Sequence, residues 1–256
     1  MNSDKYPILE YDQEKRAIIE PSQVIPRLDV PEYCIIPYYN KVFTFLKKKE
    51  KLRQITQEET IVTFNLPLYE MKYKNNRLAI MTPGITAPFA AAILEFVIAT
   101  GCKKFIIVGS CGVLDKKIIR NQLIIPTSAI RDEGTSYHYL PASREIQADP
   151  MIVAKIKESL DEKKINYITG KTWTTDAFYR ETPEKIKKRR EEGAIVVEME
   201  AAALFAVAQF RNVKIGYILN GGDDVSGFEW DPRLEKKSND FHENLFELAA
   251  DICLKL

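Results

Sequence analysis

Four short segments of this sequence concentrate side chains able to bind or protonate a small polar molecule. They are Glu198-Met-Glu200, Gly221-Gly-Asp-Asp224, Gly109-Ser-Cys-Gly112 and Thr174-Thr-Asp-Ala-Phe-Tyr179. Glu198 and Glu200 follow the apolar run Ala194-Ile-Val-Val and precede an Ala-rich stretch, so both lie close to buried surface. A buried carboxylate without a partner is costly. Each must therefore meet a ligand or the start of the following helix, whose N–H groups favour negative charge. Asp223 and Asp224, after two glycines, read as turn residues. Ser110, Cys111 and Gly112 offer a hydroxyl and backbone N–H groups to an anion or a sugar oxygen, or form a tight turn leaving a buried strand. Phe178, an aromatic residue among polar ones, is a core plug or a stacking face for a planar ring.

The elements around these segments alternate in type. Cys34-Ile-Ile reads as a short buried strand and Tyr39 to Lys49 as a helix. Tyr69 to Met81 reads as a hairpin turning at Asn75-Asn76, since Asn tolerates left-handed backbone. Pro88 to Thr100 is an Ala-rich helix closed by Gly101. Lys104 to Gly109, Gln122 to Pro126, Tyr167 to Thr172, Ala194 to Glu198 and Lys214 to Asn220 read as strands. The helices between them are predicted over 151–164, from Thr182-Pro183-Glu184 onward, over Ala201 to Phe210, and at the carboxyl end. Long polar loops are predicted over Arg131–Asp149 and Gly221–Arg233. This alternation predicts an α/β fold, a three-layer α/β/α sandwich around a mostly parallel, mixed central sheet. The four polar segments then fall at strand ends, where such sheets bind ligands.

Composition narrows the class further. The chain has 256 residues, 45% hydrophobic and 29% charged, with 37 Lys plus Arg against 36 Asp plus Glu. A net charge of +1 supplies no field for nucleic acid or an anionic membrane. No apolar run reaches the ~20 residues of a membrane helix, and the N-terminus lacks a signal-peptide core. A cytoplasmic protein is expected. Cys34, Cys102, Cys111 and Cys253 are widely spaced, and only His138 and His242 are present, so neither a metal nor a disulfide framework is expected. Residues 1–31, rich in Pro and charge, read as an extended arm, and 32–256 as one domain.

Ile106-Ile-Val-Gly-Ser-Cys-Gly, Ile130-Arg-Asp-Glu-Gly-Thr-Ser-Tyr-His138, Asp176-Ala-Phe-Tyr179 and Val196-Val-Glu-Met-Glu-Ala-Ala occur in this order. Together they resemble the nucleoside phosphorylase superfamily, specifically its uridine phosphorylase and bacterial purine nucleoside phosphorylase members, over roughly residues 60–255. The resemblance implies that fold, a nucleoside substrate, a homo-oligomer (a dimer or dimer-based) and no cofactor, with phosphate as possible co-substrate. It also implies roles for single residues. Glu200 matches the carboxylate that accepts hydrogen bonds from ribose hydroxyls, with Met199 packed on the sugar and Glu198 beside them. Phe178 and Val197 match the base contacts, and Ser110, with Cys111 and Gly112, the phosphate end. Asp223 matches the general acid of the purine enzymes. Arg233 is positioned in the same loop to pair with it, and a one-residue slip would make Asp224 the acid.

The phosphate side departs from the family. Pro37-Tyr-Tyr-Asn-Lys-Val-Phe stands where the family carries Gly-Asp-Pro-x-Arg, and Ile107 stands at the position of a phosphate-binding Arg. Thr182 and Glu184 replace the Gln and Arg that read a pyrimidine, and residues 1–30 contain no His. Lys41, Arg131, Arg180 and Arg233 are the cations available as replacements. The expected reaction is cleavage of a nucleoside's N-glycosidic bond, by phosphate to give free base and ribose 1-phosphate. The alternatives are a nucleosidase using water and a nucleoside-binding protein without turnover.

Overall fold

The computed structural model describes residues 6–49, 51–56, 60–61, 64–65, 67–81, 84–234 and 240–256. A short helix α1 (Pro21–Val24) precedes β1 (Tyr33–Pro37), α2 (Asn40–Lys48), β2 (Arg53–Gln54), β3 (Thr60–Ile61) and β4 (Phe64–Asn65). Then come β5 (Leu68–Tyr73), β6 (Asn76–Met81), α3 (Ala87–Thr100), β7 (Lys104–Val113), β8 (Leu123–Asp132) and β9 (Glu145–Gln147). The chain continues through α4 (Pro150–Glu162), β10 (Tyr167–Thr175), α5 (Pro183–Glu191), β11 (Ala194–Glu198), α6 (Ala201–Arg211), β12 (Lys214–Asp224) and α7 (Phe241–Cys253).

Local chemistry explains most boundaries. Asp149 caps α4 by accepting the Met151 N–H at 2.8 Å, and Pro150 and Pro183 occupy the first turns of α4 and α5, where a missing N–H costs nothing. Gly101 ends α3 at φ 134°. The hairpin between β5 and β6 turns at Lys74 and Asn75, φ 46° and 64°, one residue earlier than expected. Both central residues of that two-residue turn take left-handed backbone.

The main sheet runs β11-β10-β8-β12-β7-β1-β6-β5-β2, with β9 paired to β8. It is mixed. β1, β6, β7 and β12 lie parallel, as do β8, β10 and β11, whereas β5–β6 and β12–β8 are antiparallel. Strand alternation sends successive side chains to opposite faces. Cys34, Ile36, Phe105 and Ile107 pack with α3 and α6, while Ile35, Ile106, Val108 and Ile218 pack with α2, α4 and α7. Those two cores are the interfaces of the α/β/α sandwich. The almost wholly buried α6 has no need of a polar face.

One feature of the topology was not expected. β11 pairs with β7 as well as β10, setting Val197 opposite Gly112 and Val196 opposite Val113. Five strands thereby close on themselves, in the order β7, β12, β8, β10, β11. Closure gives the strand ends partners, so the strands overrun their predicted limits. Gly109–Gly112 lies inside β7 and Gly221–Asp224 inside β12, which pairs with β7 as far as Asp224 opposite Val113. Neither segment is the turn that its glycines suggested. Likewise β8 runs on to Asp132, and β9 folds back on it, which shortens the loop predicted over 131–149. Long-range pairing here overrides local propensity.

The arm lies on its own chain. The Leu28 N–H donates to the Thr100 carbonyl at 2.9 Å, and Glu20 pairs with Arg211 of α6.

Candidate functional site

Closure of the five strands leaves a cavity of about 750 Å³ beyond the carboxyl ends of β7, β10, β11 and β12. β7 contributes Ser110, Cys111 and Gly112, and the β11–α6 junction contributes Val197, Glu198, Met199 and Glu200. Phe178 and Tyr179 follow β10, and Asp223 comes from the end of β12. The sugar-side, base-side and phosphate-side candidates and Asp223 all stand on these walls, whereas Arg233 and Asp224 do not.

Glycine is required where the strands meet. A Cβ on Gly222 would stand 2.6 Å from Ser110 Oγ and 2.9 Å from the Cys111 carbonyl oxygen. A Cβ on Gly112 would stand 3.0 Å from Val197 Cγ1 and 3.8 Å from Asp223 Oδ1. The glycines thus permit close approach of backbone, and bring Ser110 and Asp223 onto one cavity.

The two glutamates divide their work. Glu198 Oε1 accepts from Thr174 Oγ1 at 2.6 Å and Thr172 Oγ1 at 3.2 Å, while Oε2 accepts the N–H groups of Glu200 and Ala201 at 2.7 and 2.6 Å. Both its oxygens are committed to the chain, at the N-terminus of α6. Of the two readings of Glu198, capping is therefore the one the geometry favours over a sugar contact. Glu200 is equally buried, at 5% exposed, and its Oε1 accepts the Thr86 N–H at 2.9 Å. Thr86 holds φ 90° and ψ 147° to present that N–H, a conformation costly for a β-branched residue.

Electrostatics follows from these surroundings. Burial, reinforced by the nearby Glu198 charge, pushes the Glu200 carboxyl up to about 8. Burial raises Glu198 too, against the pull of its four donors. A proton taken up by the pair thus resides on Glu200, which has fewer donors. Burial, followed by the charge of Asp223, lifts Glu181 to about 7. The Cys111 thiol donates to the Asn220 carbonyl at 3.4 Å and is held well above its usual range by burial, so it stays a thiol rather than a nucleophilic thiolate.

The expected pairing of Arg233 with Asp223 is not formed. Arg233 Nη2 donates to Asp224 Oδ2 at 2.6 Å and Nη1 to the Ile118 carbonyl at 2.7 Å, and Asp223 Oδ2 accepts from Trp230 Nε1 at 2.7 Å. Adjacent strand residues face opposite ways, so Asp223 turns to the cavity and Asp224 away from it. The other cations proposed for the phosphate side lie elsewhere. Arg131 is 5% exposed and donates to Ser136, Leu140, Pro141 and Ser143. Lys41 and Arg180 are exposed and off the cavity wall. Ile107 is fully buried against the α3–α6 side of the sheet. Among the described residues lining the cavity there are four carboxyl groups and no Lys, Arg or His. No group of three or more His, Cys, Asp or Glu among the described residues is placed to hold a metal ion.

Sequence reasoning missed Tyr38, Ile85, Glu181, Val225 and Trp230, which also line the cavity. Glu181, three residues beyond Phe178, carried a local signal, since Phe178 was already a candidate. The others lie in segments whose approach to the site depends on the closed strands.

The profile of the phosphorylase superfamily matches residues 45–253. A guanosine phosphorylase from Halorubrum lacusprofundi is 26% identical over 239 residues, covering 91% of this chain and 92% of that protein. A purine nucleoside phosphorylase of the DeoD type from Bacillus cereus is 27% identical over 190 residues, covering 72% of this chain and 78% of its own. The crystal structure of purine nucleoside phosphorylase from Toxoplasma gondii in complex with immucillin-H superimposes with a TM-score of 0.75 at 20% identity. That match covers 94% of this chain and 98% of the other.

Proposed function

The chain belongs to the phosphorylase superfamily, and on that premise we propose that it cleaves the N-glycosidic bond of a purine nucleoside by phosphorolysis. The observation that carries this reading is the convergence of Glu200 and Asp223 on one cavity. Cleavage develops positive charge on the sugar and negative charge on the leaving base, and hydrogen bonds placed where charge develops lower the barrier. Glu200, with one oxygen held by Thr86, has capacity left to accept from ribose hydroxyls. Met199 packs on the sugar and Phe178 and Val197 flank the base. Asp223 protonates the leaving base, and Ser110 faces the nucleophile. The purine assignment rests on Asp223, on Thr182 and Glu184 at the pyrimidine-reading positions, and on the purine and guanosine phosphorylases among the relatives.

A second reading, hydrolysis, is favoured by one observation: no cation lines the cavity among the described residues. Phosphate carries more than one negative charge and binds poorly in a partly dry site without cations. We therefore expect phosphorolysis with phosphate half-saturation weaker than about 1 mM, and ribose 1-phosphate as the sugar product. A phosphate titration with identification of the sugar checks this. Free ribose at every phosphate level would put hydrolysis first, and no turnover on any nucleoside would leave a binding protein.

The same reading includes a cytoplasmic homo-oligomer. Among the described residues no helix is long and apolar enough to cross a membrane. Ile85, Tyr179 and Trp230 stand at the cavity with Phe228 nearby in sequence, at 68%, 88%, 65% and 98% exposure, an apolar rim that a neighbouring copy would cover. Sedimentation at micromolar concentration is expected to show an assembly, and a monodisperse monomer would overturn that expectation.

A further inference from the structure

We propose that Trp230 is a positioning residue for the reaction, its indole N–H fixing the orientation of the Asp223 side chain. The inference rests on the reading of Asp223 as the acid.

Three observations carry it. Trp230 Nε1 donates to Asp223 Oδ2 at 2.7 Å, and both residues line the cavity. The segment between them is anchored at its base. Asp224 and Asp231 exchange backbone hydrogen bonds, N–H to carbonyl, at 2.8 and 3.0 Å, and Arg233 clamps the same Asp224 side chain at 2.6 Å. The indole is therefore delivered by a closed loop, although its ring is 65% exposed. Burial in a packed core does not explain its position.

The groups around Asp223 give the contact a consequence. Glu181, from the segment after β10, and Asp223 repel one another's charge. Cys111 on β7 is raised partly by Asp223, and Glu198 and Glu200 share the cavity. Asp224 on the same strand is neutralised by Arg233. Amid these acidic groups, the Asp223 carboxylate is met by the indole donor. With its charge opposed by these neighbours, Asp223 is held in place by the Trp230 contact. It also fixes Oδ2, leaving Oδ1 toward the base.

Trp230→Phe keeps an aromatic ring and removes the N–H. The position is exposed, so the fold is expected to survive the change, and circular dichroism checks it. The expected result is kcat lowered roughly tenfold with KM within about twofold, since misorientation of a reacting group penalises the chemical step. An unchanged kcat in Trp230→Phe, with KM raised only in Trp230→Ala, would overturn the proposal and leave the ring as a cover. A second readout needs no turnover. Trp173 is fully buried, so the difference in tryptophan emission between wild type and Trp230→Phe reports Trp230. That difference is expected to change in Asp223→Ala, which removes the acceptor of the indole N–H. A difference unaltered by Asp223→Ala would overturn the inference even if the wild type cleaved no nucleoside, an outcome that would separately overturn the proposed function.

Discussion

Asp223→Asn is expected to lower kcat on purine nucleosides by roughly 10²–10⁴-fold, the range typical of a positioned general acid. An amide still accepts the Trp230 N–H but cannot deliver a proton to a base nitrogen. The dependence on the leaving group tests the role directly. A nitrophenyl riboside departs as a stable anion and needs little protonation, so its cleavage is expected to be far less affected. Asp224→Asn supplies the internal comparison. Asp224 is held by Arg233 and accepts the Ser226 N–H at 2.8 Å, and burial of its carboxylate is outweighed by these partners, which lower it below the usual range. It stays ionised and turned away from the cavity, so its substitution is expected to change kcat by less than about tenfold. Equal losses in the two variants, or a loss in Asp223→Asn that is the same for every leaving group, would remove Asp223 from the acid role.

Glu200→Gln is expected to reduce kcat/KM on ribonucleosides by about 10²-fold or more, while making the protein more stable at alkaline pH. The first effect, read above pH 8 where Glu200 is ionised, follows if charge-assisted hydrogen bonds to the sugar tighten as positive charge develops on it. The second follows from linkage. The native Glu200 carboxyl, raised to about 8 by burial and the Glu198 charge, binds a proton more tightly than the same group in the unfolded chain. Between the ordinary carboxylate range and about 8 the native state thus holds the extra proton, and stability falls as pH rises through that window. Glu181, raised to about 7, adds to the same slope. The substituted amide stays neutral at every pH and can still accept the Thr86 N–H. Thermal unfolding at pH 9 is expected to give Glu200→Gln a Tm about 5 °C above wild type, with a smaller difference at pH 5. Gain of stability with loss of activity marks a residue placed for function. A Tm lowered at both pH values with turnover unchanged would instead make Glu200 a structural carboxylate at the start of α6.

Much of the architecture was legible in order and type of element. Buried apolar runs such as Phe105–Val108 and Ala194–Val197 read as strands, and Asp149-Pro150, Thr182-Pro183 and Gly101 marked helix limits, because these signals are local. The candidate residues were legible for a related reason: polar groups attached directly to apolar strands cannot avoid the strand ends. Which of two neighbouring acids faces the cavity was not local information. The one-residue alternation of β12 turns Asp223 inward and Asp224 toward Arg233. The four donors around Glu198 come from β10 and the first turn of α6. Glycines at 109, 112, 221 and 222 look like turns in sequence, and become extended strand because β11 pairs with β7 and closes the sheet. Closure likewise seats Glu181 and Trp230 on a cavity that no spacing rule marks out. By itself the sequence determined the layers, the order of strands and helices, and the acids that follow the apolar runs. Tertiary structure decided how those acids are partnered and which of the described residues reach them, because hydrogen bonds and ion pairs depend on the distances between strands that are remote along the chain.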